Sequence, residues 1–280
     1  MVTEPSIRDV SDTARWVAAY RAIESERPDA LYRDPLAARL AGPEGVSMTA
    51  TGPSMWPTVV RTKLIDDLIL DSIAAGCDRV VNLAAGLDTR PFRLALPAEL
   101  DWYEADLPEL LGYKESVLAG ETPNCRRITR TVDVTDTAAL TAFLDEATAG
   151  ARNTLVLTEG LLPYLRPADV ATLRDALRRP DVRWWAIDHW SPGMLRMVNL
   201  TLGRKLASAR WQFAAPLDFF RGWTVDSAAS VFRAAALAKR SQPVLRGSAW
   251  TPEHAIGPLE KSLLWCGAVR FTHADVRGTE

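Results

Sequence analysis

The stretch Arg79-Val-Val-Asn-Leu-Ala-Ala-Gly-Leu-Asp-Thr-Arg90 decides the fold. Its first five residues form a short apolar run suited to a strand buried on both faces, and the small residues Ala84, Ala85 and Gly86 follow at once. In a doubly wound α/β sheet, ligands bind outside the carboxyl ends of the strands, where small residues let the backbone approach a nucleotide. A plain strand-to-helix connection has the same composition, so the turn alone leaves both readings open. Only Gly86 is present of the three glycines in the G-x-G-x-x-G dinucleotide pattern, which weighs against a nicotinamide-dependent oxidoreductase without removing it.

Downstream, short apolar runs recur at Asp101-Trp-Tyr-Glu-Ala105, Ile128 to Val132, Asn153 to Thr158 and Val182 to Ile187. Helical spacing fills the intervals at Leu107 to Leu118, Thr137 to Ala147 and Pro167 to Leu177. Such alternation predicts right-handed βαβ crossovers, a parallel sheet and a doubly wound, Rossmann-like α/β fold. Successive strands end in Asp106, Asp133 and Glu159. Asp106 lies 20 residues after Gly86, the separation at which an acidic side chain accepts hydrogen bonds from ribose hydroxyls. A carboxylate capping the helix at Leu107 is the competing reading for that residue alone. Three acidic groups around one crevice repel one another unless the ligand is cationic or rich in donors, as a sulfonium nucleoside is.

Upstream, residues 1–76 read as a helical cap. Trp16, Tyr20 and Ile23 repeat behind Ser11 as N-cap. From Met55 to Ile73 one apolar stripe runs through Trp56, Val59, Val60, Leu64, Leu68 and Ile69, with Lys63, Asp66, Asp67 and Asp71 facing elsewhere. Gly76 ends that helix. Residues 77–188 form the cofactor-binding core and 189–225 a helical insertion rich in aromatic residues. Residues 226–280 complete the sheet through a helix at Asp226 to Ala238, a strand near Pro243 to Leu245 and a final strand from Leu263 to Phe271. No repeat or linker divides the 280 residues, so one domain is expected.

The net charge of −2, from 33 basic and 35 acidic residues, offers no field for nucleic acid. No apolar run approaches a membrane span, and the start of the chain has no secretory segment. Cys77, Cys125 and Cys266 lack metal-ligand spacing, so no disulfide and no metal site is expected, and the cytoplasm is the expected location. Arg166, Arg174, Arg178, Arg179 and Arg183, interleaved with acids, read as a solvated helix face. Whether the chain is a monomer or a homodimer is not written in it.

Six motifs in order resemble the leucine carboxyl methyltransferase family, in its bacterial branch that includes polyketide O-methyltransferases. They are Ser11-Asp-Thr-Ala14 with Tyr20-Arg-Ala-Ile-Glu24; Asp34-Pro-Leu-Ala37; Arg61-Thr-Lys with Asp66-Asp67; Asn82 to Arg90; Tyr103 to Pro108 with Tyr113-Lys114; and Glu159 to Tyr164. The resemblance implies an S-adenosyl-L-methionine-dependent methyltransferase. It implies that Arg61 reaches the methionine carboxylate, that Ala84, Ala85 and Gly86 line the cofactor, and that Asp106, with Leu107 beside it, holds the ribose. Asp133 and Val134 then lie beside adenine, Glu159 and Gly160 at the amino-acid end, and Tyr164 where the methyl emerges. The family usually has Gly at position 84; the methyl of Ala84 is harmless at negative φ and crowds the ligand otherwise. The lysine near the N-terminus of the eukaryotic protein-modifying members has no counterpart, which argues against a protein C-terminus as substrate.

The acceptor is expected to be a small molecule methylated on oxygen. A carboxylate acceptor needs orientation only, by Arg21 or Arg61 with Tyr164 donating a hydrogen bond. A hydroxyl acceptor needs a base, for which His189 at the end of the fifth strand is the best placed histidine; a structural role is the alternative. Half of the ten tryptophans fall between residues 184 and 223. Trp190, Trp211 and Phe213 are candidate walls for a flat apolar acceptor, or else core packing. A third class of reading is a nucleoside-binding protein without turnover, kept open by Ala84.

Overall fold

The computed structural model describes residues 10–51, 56–202, 211–240 and 265–273. Three helices come first: α1 (Val10–Ser25), α2 (Ala37–Thr51) and α3 (Trp56–Ala74). Ser11, the expected N-cap, lies inside α1 and not ahead of it. α2 kinks at Gly42, where φ is 60°, ahead of Pro43, which has no N–H to continue the ladder. α3 buries Val59, Val60, Leu68 and Ile69 as the stripe predicts. It also buries Asp66, contrary to the outward orientation expected from polarity; the carboxylate is accommodated because Arg90 and Arg93 meet it there. Gly76, at φ +93°, closes α3: its N–H donates to the Ile73 carbonyl and the Cys77 N–H to that of Ser72, satisfying two carbonyls the helix would leave open.

The sheet has seven strands: β1 (Arg79–Leu83), β2 (Asp101–Asp106), β3 (Arg126–Thr131), β4 (Thr154–Thr158), β5 (Val182–Trp190), β6 (Trp223–Ser230) and β7 (Cys266–His273). Their order is β3-β2-β1-β4-β5-β7-β6. The first five are parallel, and β7 runs antiparallel to both its neighbours. Between them come α4 (Arg90–Arg93), α5 (Pro108–Val117), α6 (Thr137–Thr148), α7 (Pro167–Ala176), α8 (Pro192–Leu202) and α9 (Val231–Leu237). The period of two sorts each strand between two cores. Val81, Trp185 and Ile187 join Leu144 and Val170 on one face, while Val80, Trp184 and Ala186 join Ile65 and Ile69 of α3 on the other. β3 departs from the doubly buried expectation: it is an edge strand with exposed or half-exposed positions, and Arg126, Arg127 and Arg130 blunt it.

The C-terminal third differs most from the sequence reading. Residues 223–230 form a strand where a helix was expected from Asp226, and only Val231–Leu237 is helical. Pairing with β7 outweighs the local helical preference of the alanines, and a register shift between Val225 and Ser227 sets Asp226 against Arg270 at 2.7 Å. Ser230 then caps α9 by accepting the Arg233 N–H. β7 begins at Cys266 and ends at His273; residues 263–264 and the expected strand at 243–245 lie outside the described residues. Of the expected helical insertion, α8 and a single turn at Leu217–Phe219 are helical among the described residues. No helix among them is long and apolar enough to cross a membrane. Arg240 grips Glu24 through two nitrogens, at 2.8 and 3.0 Å, which ties the segment after α9 to α1.

Candidate active site

A cavity of about 510 Å³ opens at the carboxyl ends of β1, β2, β4 and β5, roofed by α1, α3, α8 and α9. Its floor begins with the turn after β1. Ala84 and Gly86 both adopt positive φ, 53° and 54°, so the chain reverses sharply and turns backbone toward the cavity. Asp106, at the tip of β2, holds this turn: its Oδ2 accepts the Gly86 N–H at 2.5 Å and its Oδ1 the Leu107 N–H at 2.7 Å. Burial raises the pKa of the Asp106 carboxyl, and the two N–H donors only partly offset that. Each oxygen still has room for a further donor.

The opposite wall is a chain of charges. Arg61 gives Nε to Glu159 at 2.8 Å and Nη1 to Asp188 at 2.9 Å. Arg90 gives Nη1 to Glu159 at 2.8 Å and to Asp88 at 2.9 Å, and Nε to Asp66 at 2.6 Å. Arg93 holds Asp66 through both Nη atoms. Arg21 gives Nε to Asp34 at 2.8 Å and Nη2 to the Leu87 carbonyl at 2.6 Å, joining α1 to the turn. Burial raises the pKa of the Glu159 carboxyl, but Arg90 and Arg61 outweigh it and leave it below the ordinary range. Burial also pushes the Asp88 carboxyl up, but Arg90, Lys114 and Arg93 together outweigh it and hold it well below the ordinary range. For Asp188 burial wins: Arg61 pulls the carboxyl down, Glu159 pushes it up, and it ends above the ordinary value.

All ten residues expected beside the cofactor line this cavity: Arg61, Ala84, Ala85, Gly86, Asp106, Leu107, Asp133, Val134, Glu159 and Gly160. Asp133 stands at the rim, where its Oδ1 accepts from Thr135 N and Oγ1. Arg21, Tyr164, Trp190 and Trp211 line it too. Trp211 stacks at a tilt on Trp190 at 4.9 Å and meets Tyr164 edge-on at 6.4 Å. His189 borders the cavity but is 3% exposed, with its ring against Phe220 and Trp265. Phe213 is not among the lining residues; it is buried against Phe219 and Phe220, because the chain after Trp211 turns down onto the core beneath α7. Asp88, Arg90 and Asp188 are central to the site and were not singled out from sequence as site residues. Asp88 and Arg90 lie within the motif already quoted, and Asp188 is one residue before the histidine that drew attention.

Of the three strand-tip acids expected to need a cationic or donor-rich ligand, Glu159 is met by Arg61 and Arg90, Asp106 by two backbone N–H groups and Asp133 by Thr135. Four arginines and five carboxylates line the cavity, and Arg21, Arg90 and Arg93 are also paired with Asp34 and Asp66 behind it, so negative charge is in excess.

A sheet of this order with an antiparallel seventh strand, and a ligand-sized crevice at the carboxyl ends of its parallel strands, defines the class I methyltransferase fold. Two solved structures share it: a DUF574 family protein from Streptomyces avermitilis, with a TM-score of 0.60 at 14% identity over 94% of this chain and 97% of that one, and a protein described as a "putative methyltransferase" from Thermobifida fusca, with a TM-score of 0.57 at 16% identity over 98% and 97%. The family model described as leucine carboxyl methyltransferase matches residues 14–178, and the chain belongs to that family. Among curated relatives, each named "Putative S-adenosyl-L-methionine-dependent methyltransferase", one from Mycobacterium avium is 38% identical over 73% of this chain and 72% of its own length. One from Mycobacteroides abscessus is 41% identical over 58% of this chain, and one from Streptomyces coelicolor 39% over 58%. The chain spans 57% and 61% of the length of the latter two.

Proposed function

We propose that this chain binds S-adenosyl-L-methionine in the cavity and catalyses transfer of its methyl group to an oxygen of a small apolar or aromatic acceptor, of the kind found among polyketide-like metabolites. The observation that carries the proposal is the Asp106 carboxylate, fixed by the Gly86 and Leu107 N–H groups beside a turn of small residues and facing the Arg61–Glu159–Arg90 group across the cavity.

The residues present suit that cofactor. Asp106 is oriented to accept from a vicinal diol, and Val134 and Leu107 offer apolar walls for a flat base. Arg61 offers a guanidinium edge for a carboxylate, and Glu159 is an acceptor for an ammonium group. The excess of carboxylates over arginines suits a ligand that carries net positive charge. When bound, the sulfonium supplies an electrophilic methyl whose departure needs no acid. The protein's task is alignment and exclusion of water, and the buried charges hold their geometry without rearranging. Tyr164, edge-on to Trp211, is in position to hydrogen-bond the acceptor, and Trp190 and Trp211 form the wall against which it lies.

Asp106→Ala is expected to weaken S-adenosylhomocysteine binding by about 10²-fold or more in isothermal titration calorimetry, since hydrogen bonds to a charged group each contribute about 1.5–3 kcal/mol. An affinity within a few-fold of the parent would refute the ribose assignment.

A further inference from the structure

The acceptor side of the cavity differs chemically from the cofactor side. Met194, Val198 and Val231 form an apolar cluster that also takes in Trp56, Trp211 and Phe232 at its edge. All six line the cavity, and Trp56 meets Phe232 edge-on at 5.7 Å. The described lining contains no lysine, and each of its four arginines is paired with a carboxylate side chain: Arg21 with Asp34, Arg61 with Glu159 and Asp188, Arg90 with Asp66, Asp88 and Glu159, and Arg93 with Asp66; the remaining edge of Arg61 is the one assigned above to the cofactor's own carboxylate. An anionic acceptor entering this lobe would find carboxylates in excess and no uncommitted counter-ion among the described residues. Such burial of an unpaired charge is strongly disfavoured.

Asp188 stands between the two sides. Its Oδ1 accepts the Gly160 N–H at 2.8 Å, and its Oδ2 accepts from Arg61 Nη1 at 2.9 Å and Trp190 Nε1 at 3.3 Å. A carboxylate has about four acceptor positions, so one remains. Successive residues of a strand point to opposite faces, which puts the His189 ring among Phe220 and Trp265 while Asp188 shares a donor with Arg61 and Trp190.

Resting on the reading above, we propose that the acceptor is a neutral hydroxyl on an apolar, ring-bearing molecule, and that Asp188 takes its proton. In the transfer, the O–CH3 bond forms as the S–CH3 bond breaks, and the hydroxyl proton passes to the Asp188 carboxylate. Burial holds that carboxyl above its ordinary range, which makes it the better base.

The test uses the full chain and a matched pair of probes, 2-naphthol and 2-naphthoate. S-adenosylhomocysteine is titrated first; absence of binding would defeat the methyltransferase reading itself. With the cofactor product bound, 2-naphthol is expected to bind at least about tenfold more tightly than 2-naphthoate at neutral pH, and S-adenosyl-L-methionine is expected to yield the naphthyl methyl ether. Equal or tighter binding of the naphthoate, formation of its methyl ester, or failure of both probes to bind a cofactor-competent protein would overturn the neutral-hydroxyl proposal alone. At saturating S-adenosyl-L-methionine, Asp188→Asn is expected to lower the methylation rate by about 10²-fold and to abolish the acidic limb of the parent's pH–rate profile, with naphthol affinity within about threefold of the parent. A variant that keeps the parent's rate and profile, or one whose loss of rate tracks a loss of cofactor affinity, would remove Asp188 from the role of base.

Discussion

Ala84 carries a methyl group in a conformation that L-residues avoid. At φ +53° it sits in the left-handed region, where a Cβ costs about 1–2 kcal/mol, and it does so on the wall of the cavity. The sequence raised the question through the family resemblance, which implies a glycine there, but the sign of φ depends on how the turn closes onto Asp106. Ala84→Gly is therefore expected to tighten S-adenosylhomocysteine binding several-fold. The thermal midpoint should hold or rise slightly, because relief of strain is opposed by about 0.4–1 kcal/mol of extra chain entropy in the unfolded state. Calorimetry and a melt decide it; unchanged affinity would mean that the methyl does not touch the ligand. Asp188 teaches the same lesson. Hydropathy places Asp188-His189 at a strand end and cannot tell which of the two faces the ligand, because that follows from the sheet's register.

Among the elements, those with a strong period and a clean terminator were legible. α3 is one, with its buried stripe and its glycine stop. At Gly76 an added Cβ would meet, among the described residues, Asn153 Nδ2 at 3.9 Å, an ordinary contact, so the cost of a side chain there is backbone strain. Gly76→Ala should lower unfolding free energy by about 1–2 kcal/mol in denaturant titrations. It should leave S-adenosylhomocysteine affinity unchanged, because the turn lies at the amino end of β1, away from the cavity. A matching loss of affinity would show that the two ends of the sheet are coupled. β6 was not legible. Its run of Ser and Ala has helical composition, and its strand character comes from pairing with β7, more than thirty residues away in the chain. β3 was recognised as a strand, yet its edge position could not be read from its own residues.

For the molecule as a whole, the buried charges set how stability responds to acid. Asp34, Asp88 and Glu159 have carboxyl pKa values below ordinary in the fold: burial pushes each up, but their arginines win. Their stabilisation is present above the unfolded value, about pH 4, and is lost as pH falls below it. Asp106 and Asp188 run the other way. Their folded values are raised, chiefly by burial, so the folded state takes up protons first as pH falls toward about 4, and stability gains over that range. The melting temperature should pass through a maximum on the acidic side of neutrality and drop steeply below about pH 4. A melting temperature that only declines from neutral pH downward would contradict this balance. The doubly wound class, the turn of small residues after β1 and the acidic strand tips could all be read from sequence because each is local. The pairing of Arg90 with Asp66, 24 positions earlier, could not.

The strand order bears on how the protein comes into being during translation. β7 lies between β5 and β6 and supplies Cys266 and Gly267 to the cavity wall. While the ribosome has yet to release residues 266–273, β6 has no partner on which to dock and the pocket lacks one side. Any nucleoside available to the nascent polypeptide therefore meets an unfinished receptacle until this last slat slides into the gap.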